Sequence, residues 1–283
     1  MFMKKNLYEN IYNKAGYFSF GKNWSDFLDS AFDENRLNIA KQSLIDFLGG
    51  EERISGKTFI DIGCGSGLFS LAALLLGAKE VVSVDIDENS VACARRLREK
   101  FQQLKNWKVL TGSALDKDFI LSLGQFDIVY SWGVLHHTGN MYQALDNVSN
   151  LMKPDGIFYL ALYNRCRSWW IGTSTFWLKV KKLYNHSGVT GKRLIFYCYV
   201  VYFFLDSFIA LKNPFKRMKA FKRRGMNWEH NVIDWLGGYP YEFAGPDEIV
   251  NHFSPQEIFC IKMTNSYGLA CVEYLLQKIS TVK

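Results

Sequence analysis

None of the six cysteines (Cys64, Cys93, Cys166, Cys198, Cys260, Cys271) stands in a C-x-x-C pair, and most lie in apolar surroundings. That argues against a disulfide or zinc framework and fits a reducing, cytoplasmic compartment. Histidine is also scarce. Beside the adjacent pair His136 and His137 there are only His186, His230 and His252, scattered along the chain. No third ligand stands at metal spacing, so no metal is expected. The first residues, Met-Phe-Met-Lys-Lys-Asn-Leu-Tyr-Glu-Asn, lack the apolar run and small-residue cleavage site of a signal peptide. Acidic residues nearly vanish from one long stretch. Between Tyr163 and His230 only Asp206 and Glu229 oppose fourteen Lys and Arg, in a chain whose net charge is +7. What remains is ordinary: 283 residues that are 48% hydrophobic can bury a substantial core and are not disordered.

The stretch Lys57 to Ser70 reads as strand, glycine turn and helix. Phe59, Ile60 and Ile62 suit a buried strand, and Leu68, Leu71, Ala72, Leu75 and Leu76 recur at helical spacing. Gly63, Gly65 and Gly67 lie between, where glycine lets a ligand approach free N–H groups at a helix start. A dinucleotide fingerprint, G-x-G-x-x-G, is missing its last glycine, because that position is Leu68. The apolar run Val81, Val82, Val84 ends in Asp85, a strand-tip carboxylate able to accept both hydroxyls of a ribose. Its structural alternative is a cap on the following helix. With Asp61 ahead of the turn, two acids suit a ligand with ribose hydroxyls and a cationic end, and suit a pyrophosphate badly. S-adenosylmethionine is such a ligand.

Three blocks, Phe-Ile-Asp-Ile-Gly-Cys-Gly-Ser-Gly, Val-Val-Ser-Val-Asp-Ile-Asp and Phe-Asp-Ile-Val-Tyr-Ser-Trp-Gly-Val-Leu-His-His-Thr, occur in this order. In them the chain resembles class I S-adenosylmethionine-dependent methyltransferases. It is closest in pattern to a bacterial type 11/12-like subgroup and distantly similar to polyprenyl-hydroxybenzoquinol methylases. The resemblance implies an α/β, Rossmann-like fold with a seven-stranded sheet of order 3-2-1-4-5-7-6, the last strand antiparallel. It implies that Asp61, Gly63, Cys64, Gly65, Asp85, Ile86, Ser113, Ala114 and Ser131 hold S-adenosylmethionine, with S-adenosylhomocysteine as product. Ser113 stands where many members carry an acid that accepts from the adenine amino group.

The remaining elements follow in order. Asn23 to Gly50 reads as a helical segment, and in the family such a segment folds over the cofactor. Trp24 and Phe27 are then either substrate contacts or core. Strands are expected at Trp107–Leu110, Phe126–Ser131, Ile157–Leu162, Glu257–Met263 and Cys271–Lys278. Lys153-Pro154-Asp155-Gly156 reads as a tight turn after a helix from Met141 to Met152. His136 and His137, at the tip of the fourth strand, are candidate general bases for removing an acceptor proton. The alternative is that they line the cofactor site or bond to backbone.

After Leu162 the regular alternation breaks. The expected organisation is a helical cap at 1–50, the methyltransferase domain at 51–162 and 226–283, and a basic, aromatic, helical lid at 163–225. Leu194 to Leu211 is nearly all apolar and approaches the length of a membrane span, but Asp206 interrupts it. It reads either as a lid packed on the fold or as a surface helix resting on anionic lipid. Its aromatics are not interleaved with the charges, which argues against a nucleic-acid groove. Asp234 to Ala244 reads as a turn-rich loop, and Tyr239, Tyr241 and Glu242 as acceptor contacts or a structural turn. The expected activity is methyl transfer to a small molecule. The acceptor is either an oxygen of an anionic or phosphorylated cell-envelope sugar derivative or a lipophilic, quinone-like hydroxyl at the membrane. A third reading is an RNA-binding or regulatory protein that holds the cofactor without turnover.

Overall fold

A computed structural model of the chain describes residues 34–168, 172–222, 228–264 and 268–279. Trp24, Phe27 and the rest of the segment before Glu34 lie outside them. The chain divides into two compact units, whose described residues are 34–165 with 242–279, and 166–241. Residues 228–241 group with the helices of the second unit rather than with the sheet.

The first unit holds a seven-stranded sheet: β1 (Thr58–Ile62), β2 (Glu80–Asp85), β3 (Trp107–Thr111), β4 (Phe126–Trp132), β5 (Met152–Tyr163), β6 (Ile258–Met263) and β7 (Cys271–Lys278). Their order is 3-2-1-4-5-7-6. β1 to β5 pair in parallel, while β7 runs antiparallel between β5 and β6. Parallel strands buried on both faces need apolar residues at successive positions. β1 meets this: Phe59 packs into one core with Leu44 and Leu71, and Ile60 and Ile62 into another with Leu145 and Phe253. Helices α1 (Glu34–Leu48), α2 (Leu68–Leu75) and α3 (Glu88–Lys100) supply the first core. Helices α4 (Lys117–Ser122) and α5 (Met141–Ser149) supply the second, with α10 (Pro246–Phe253).

One turn expected from the sequence is absent. Lys153 to Gly156 lies inside β5, because Met152 already pairs with Phe126 before the register shifts to Ile128 opposite Ile157. Asp155 takes φ 60° to make this bulge, so the residues that suggest a turn mark an irregularity in a continuous strand.

The second unit contains α6 (Ser174–His186), α7 (Val189–Ile209), α8 (Pro214–Lys222) and α9 (Trp228–Gly237). Trp177 is its hub, with ring centroids 5.3 Å from Tyr202, 5.7 Å from Tyr199 and 6.0 Å from Trp235. The stretch from Asp234, read as loop throughout, starts as the last turn of α9. Val232 and Leu236 are buried one turn apart, a helical spacing that outweighs the glycines after them.

Candidate functional site

The glycine turn joins β1 to α2 and is anchored on β2, where the amides of Gly63 and Cys64 both donate to the Val84 carbonyl. Gly63 has φ 79°, and a Cβ there would stand 2.4 Å from both methyls of Val134. The turn therefore packs against the loop that follows β4, and only glycine fits. Gly67, the N-cap of α2, has less confinement: a Cβ would lie 3.0 Å from Ala94 Cβ and 3.1 Å from the Trp107 ring.

Asp85 ends β2 and bridges two segments. Its Oδ2 accepts from the Gly65 amide and its Oδ1 from the Asp87 amide, both at 2.9 Å. It does not cap α3. That task belongs to Asp87, which accepts from Asn89. Burial pushes the Asp85 carboxyl up to about 6 against the lowering effect of these amide bonds. Each carboxylate oxygen keeps a second lone pair, and the residue is only partly buried, so the group can accept from a ligand's hydroxyls.

Asp61 behaves differently. It is 2% exposed, and its Oδ2 accepts from Ser70 at 2.6 Å. Ser70 in turn accepts from Ser83 at 2.6 Å, and Ser83 from the Trp107 indole at 2.7 Å. Burial, with the Asp85 charge adding to it, pushes the Asp61 carboxyl up to about 7 despite the Ser70 bond. The carboxylate of Asp61 thus ties the end of β1 to the first turn of α2 through Ser70.

The other expected cofactor residues cluster around these two acids. Ile86 is half-buried directly after Asp85. Ser113 and Ala114 are buried at the end of β3, the Ser113 hydroxyl accepting from Leu115 and the Ala114 carbonyl from Asn147. Ser131 is fully buried and donates to the Ile62 carbonyl, tying β4 to β1. The Cys64 thiol is held well above its ordinary range by burial and the nearby Asp85 and Asp61 charges, which rules it out as a nucleophile at neutral pH.

At the tip of β4 the two histidines part. His136 is fully buried; its Nδ1 accepts from the Tyr163 amide at 3.2 Å and its carbonyl from the Glu242 amide at 2.9 Å. It holds the tip to β5 and to the segment after residue 241. His137 is partly exposed and its ring meets Tyr163 edge-on. Glu242 accepts from the Met141 amide at 3.1 Å, so its carboxylate sits at the start of α5, where a negative charge is favourable. Burial still pushes its carboxyl above the usual range. Of the three expected acceptor contacts, Glu242 belongs to the sheet unit and Tyr239 and Tyr241 to the helical one. Tyr241 is 2% exposed and packs on Trp235.

Two groups had escaped the sequence reading. Glu273 on β7 accepts from the Trp132 indole and the Tyr159 hydroxyl, each at 3.0 Å. Lys181 on α6 is fully buried, donates to the Trp235 carbonyl, and lies 3.9 Å from the Trp235 ring and 4.8 Å from the Tyr241 ring. It sits in a run with Lys179 and Lys182, but unlike them it falls at helical spacing on the buried face of α6, with Ser174, Trp177 and Tyr184.

Residues 54–188 match a family model described as a methyltransferase domain. The match covers just under half of the chain and falls on the part that carries β1 to β5 of the 3-2-1-4-5-7-6 sheet. The ubiquinone biosynthesis O-methyltransferase of Rhodopseudomonas palustris (strain BisA53) is 32% identical over 112 residues, 40% of this chain and 42% of that protein. The ribosomal protein L11 methyltransferase of Histophilus somni (strain 2336) is 33% identical over 103 residues, 36% of this chain and 32% of that protein. The chain thus spans about two fifths or less of the length of the curated relatives it matches. The fold also matches magnesium protoporphyrin IX methyltransferase from Synechocystis PCC 6803, solved with bound S-adenosylhomocysteine. The TM-score is 0.54 at 14% identity, over 97% of this chain and 99% of that one.

Proposed function

We propose that this protein transfers a methyl group from S-adenosylmethionine to an oxygen of a small-molecule acceptor. The observation that carries this reading is Asp85, a partly exposed carboxylate closing the Gly63–Gly67 turn with lone pairs left for two ribose hydroxyls. At Gly63 the turn lies too close to Val134 for any side chain, which holds it against the loop after β4. Asp85 would hold the ribose, Ile86 would offer an apolar side to the adenine, and Ser113 and Ala114 would border it. The co-substrate supplies an electrophilic methyl on a sulfonium. The acceptor oxygen attacks that carbon in line, the carbon–sulfur bond breaks with its electron pair left on sulfur, and the acceptor proton departs. The chain's contribution is alignment and exclusion of water. In this reading His137, the partly exposed imidazole of the pair, would take the proton, and His136 would position the loop that carries it.

Calorimetric titration with S-adenosylmethionine and S-adenosylhomocysteine, with NAD as control, tests this reading. Binding of the first two and not of NAD is expected. Failure to bind either would overturn it in favour of a structural glycine turn.

For the acceptor, the surplus of cations between Tyr163 and His230 supports an oxygen on an anionic or phosphorylated sugar derivative. The likeness to a ubiquinone biosynthesis O-methyltransferase favours a second reading, a lipophilic, quinone-like hydroxyl. Turnover on phosphorylated sugars against short-chain hydroquinones separates the two.

A further inference from the structure

Helix α7 is apolar on two sides. One side packs within the helical unit, where Phe203 and Ser207 are buried and the Phe203 ring lies 5.4 Å from Trp228. The other carries Leu194, Tyr197, Val201, Leu205 and Phe208 at intervals of three or four residues, a single stripe along the helix. Each is more than half exposed, from 57% at Leu205 to 80% at Phe208. Leu211, 94% exposed, and Phe215, 64% exposed, continue the patch beyond the helix end. Water-facing helices keep such a stripe for the core, and an exposed one of this length marks a contact surface. Along its C-terminal half runs an apolar groove of about 640 Å³, lined by Val201, Phe204, Leu205, Phe208 and Leu211.

The charge around the stripe has one sign. Arg193 precedes Leu194, Lys212 and Lys216 follow Phe208, and all three are exposed. Asp206, the only acid between Ser174 and Lys222, is paired with Arg217 at 2.8 Å. Among the stripe's five side chains only Tyr197 can hydrogen-bond, whereas a protein interface carries about one hydrogen bond per 100–200 Å². No helix among the described residues is long and apolar enough to cross a membrane. We propose that α7 lies flat on a bilayer containing anionic lipid, with the stripe at the boundary between headgroups and acyl chains. Arg193, Lys212 and Lys216 then meet lipid phosphates.

This assignment does not depend on methyl transfer, and its test needs no turnover. The full chain is sedimented with vesicles of phosphatidylcholine alone and with vesicles in which part of it is replaced by phosphatidylglycerol. Binding is expected only to the second, and weakens as salt rises. The double variant Leu205→Glu/Phe208→Glu, at exposed positions, keeps the helical circular dichroism and thermal midpoint of the parent. It lowers vesicle partitioning by about tenfold or more. Lys212→Glu/Lys216→Glu removes the preference for anionic lipid. The proposal is overturned if the chain pellets with neither vesicle, or if the Leu205/Phe208 variant binds as well as the parent. It is overturned equally if light scattering shows a vesicle-indifferent dimer that this variant dissociates, which would give the stripe to a second copy. None of these results touches binding of S-adenosylmethionine, so the two readings fail separately.

Discussion

The Gly65 amide donates to Asp85 Oδ2 at 2.9 Å, so the carboxylate that ends β2 also closes the glycine turn twenty residues earlier. Replacing Asp85 with Ala removes this closure and the acceptors offered to a ribose. Affinity for S-adenosylmethionine should fall by about 1 to 3 kcal/mol, the range for hydrogen bonds to a charged group. The carboxyl is pushed up to about 6, so the parent's affinity should weaken as pH falls through that value. Calorimetry at pH 5 and pH 8 checks both; unchanged affinity in the variant would remove Asp85 from the site.

Asp61 links pH to stability. Its carboxyl is held at about 7 in the fold and near 3.8 in the unfolded chain. Between those values the folded protein retains a proton the unfolded chain has released. The stability this provides is present below about pH 4 and is lost as pH rises toward 7. Asp85, raised to about 6, acts in the same direction. Asp61→Asn keeps an acceptor for Ser70 without the charge, and should be more stable than the parent at pH 8 by roughly 1 to 4 kcal/mol. Urea midpoints at pH 5 and 8 report this, and a variant with the parent's pH slope would contradict it.

Gly63→Ala places a Cβ 2.4 Å from Val134 at φ 79°. The backbone penalty and the overlap together should lower stability by about 2 to 4 kcal/mol. Adding Val134→Ala removes the two methyls but keeps the Val134 Cβ, 2.8 Å away, so it should recover only part of the overlap and leave the backbone penalty. Thermal unfolding of the single and double variants separates the parts; no recovery would mean that Val134 is not what confines the turn.

The two histidines should respond oppositely. His136→Ala leaves the buried Tyr163 amide without its acceptor and should cost about 1 to 3 kcal/mol of stability. His137→Ala should leave the thermal midpoint nearly unchanged and depress turnover about a hundredfold if it removes the acceptor proton. Equal activity of the His137 variant and the parent would mean that solvent takes the proton.

Lys181 is fully buried, and burial drives its amine well below its ordinary range. Up to about pH 10.4 the unfolded chain carries a proton that the folded one lacks. Its effect is therefore to make the fold more stable as pH rises toward that value. Lys181→Met preserves the length of the stem without the charge, and should be more stable than the parent by about 1 to 3 kcal/mol at pH 7. The gain should shrink at pH 9.5. A less stable variant at pH 7 would show that the bond to Trp235 outweighs desolvation.

The sheet was legible because its signals are local. Val81 to Asp85 is an apolar run ending in an acid, and the three glycines at 63, 65 and 67 take the positive φ that makes the turn. What escaped depends on partners distant in sequence. Lys153 to Gly156 has the composition of a turn, yet pairing of Met152 with Phe126 draws it into β5. The bond that Asp61 receives from Ser70, nine residues on in the first turn of α2, is not visible in the strand's own sequence. Trp228, Val232 and Leu236 follow a helical interval and are buried on one face of α9, although Gly237, Gly238 and Pro240 beside them have the composition of a loop. Lys181 does fall on the face of Trp177 and Tyr184, but the groups that receive its amine, Trp235 and Tyr241, come more than fifty residues later.

β7 lies between β5 and β6, which do not touch each other in the sheet. During synthesis the edge of β5 therefore stays open until residues 271–278 emerge, even though β1 to β4 can already have joined. The half-built sheet presents the apolar run Ile157 to Leu162 with unpaired backbone, the kind of edge that recruits foreign strands. Folding of this chain on the ribosome is consequently most exposed to aggregation late, in the interval between the making of β5 and the arrival of β7.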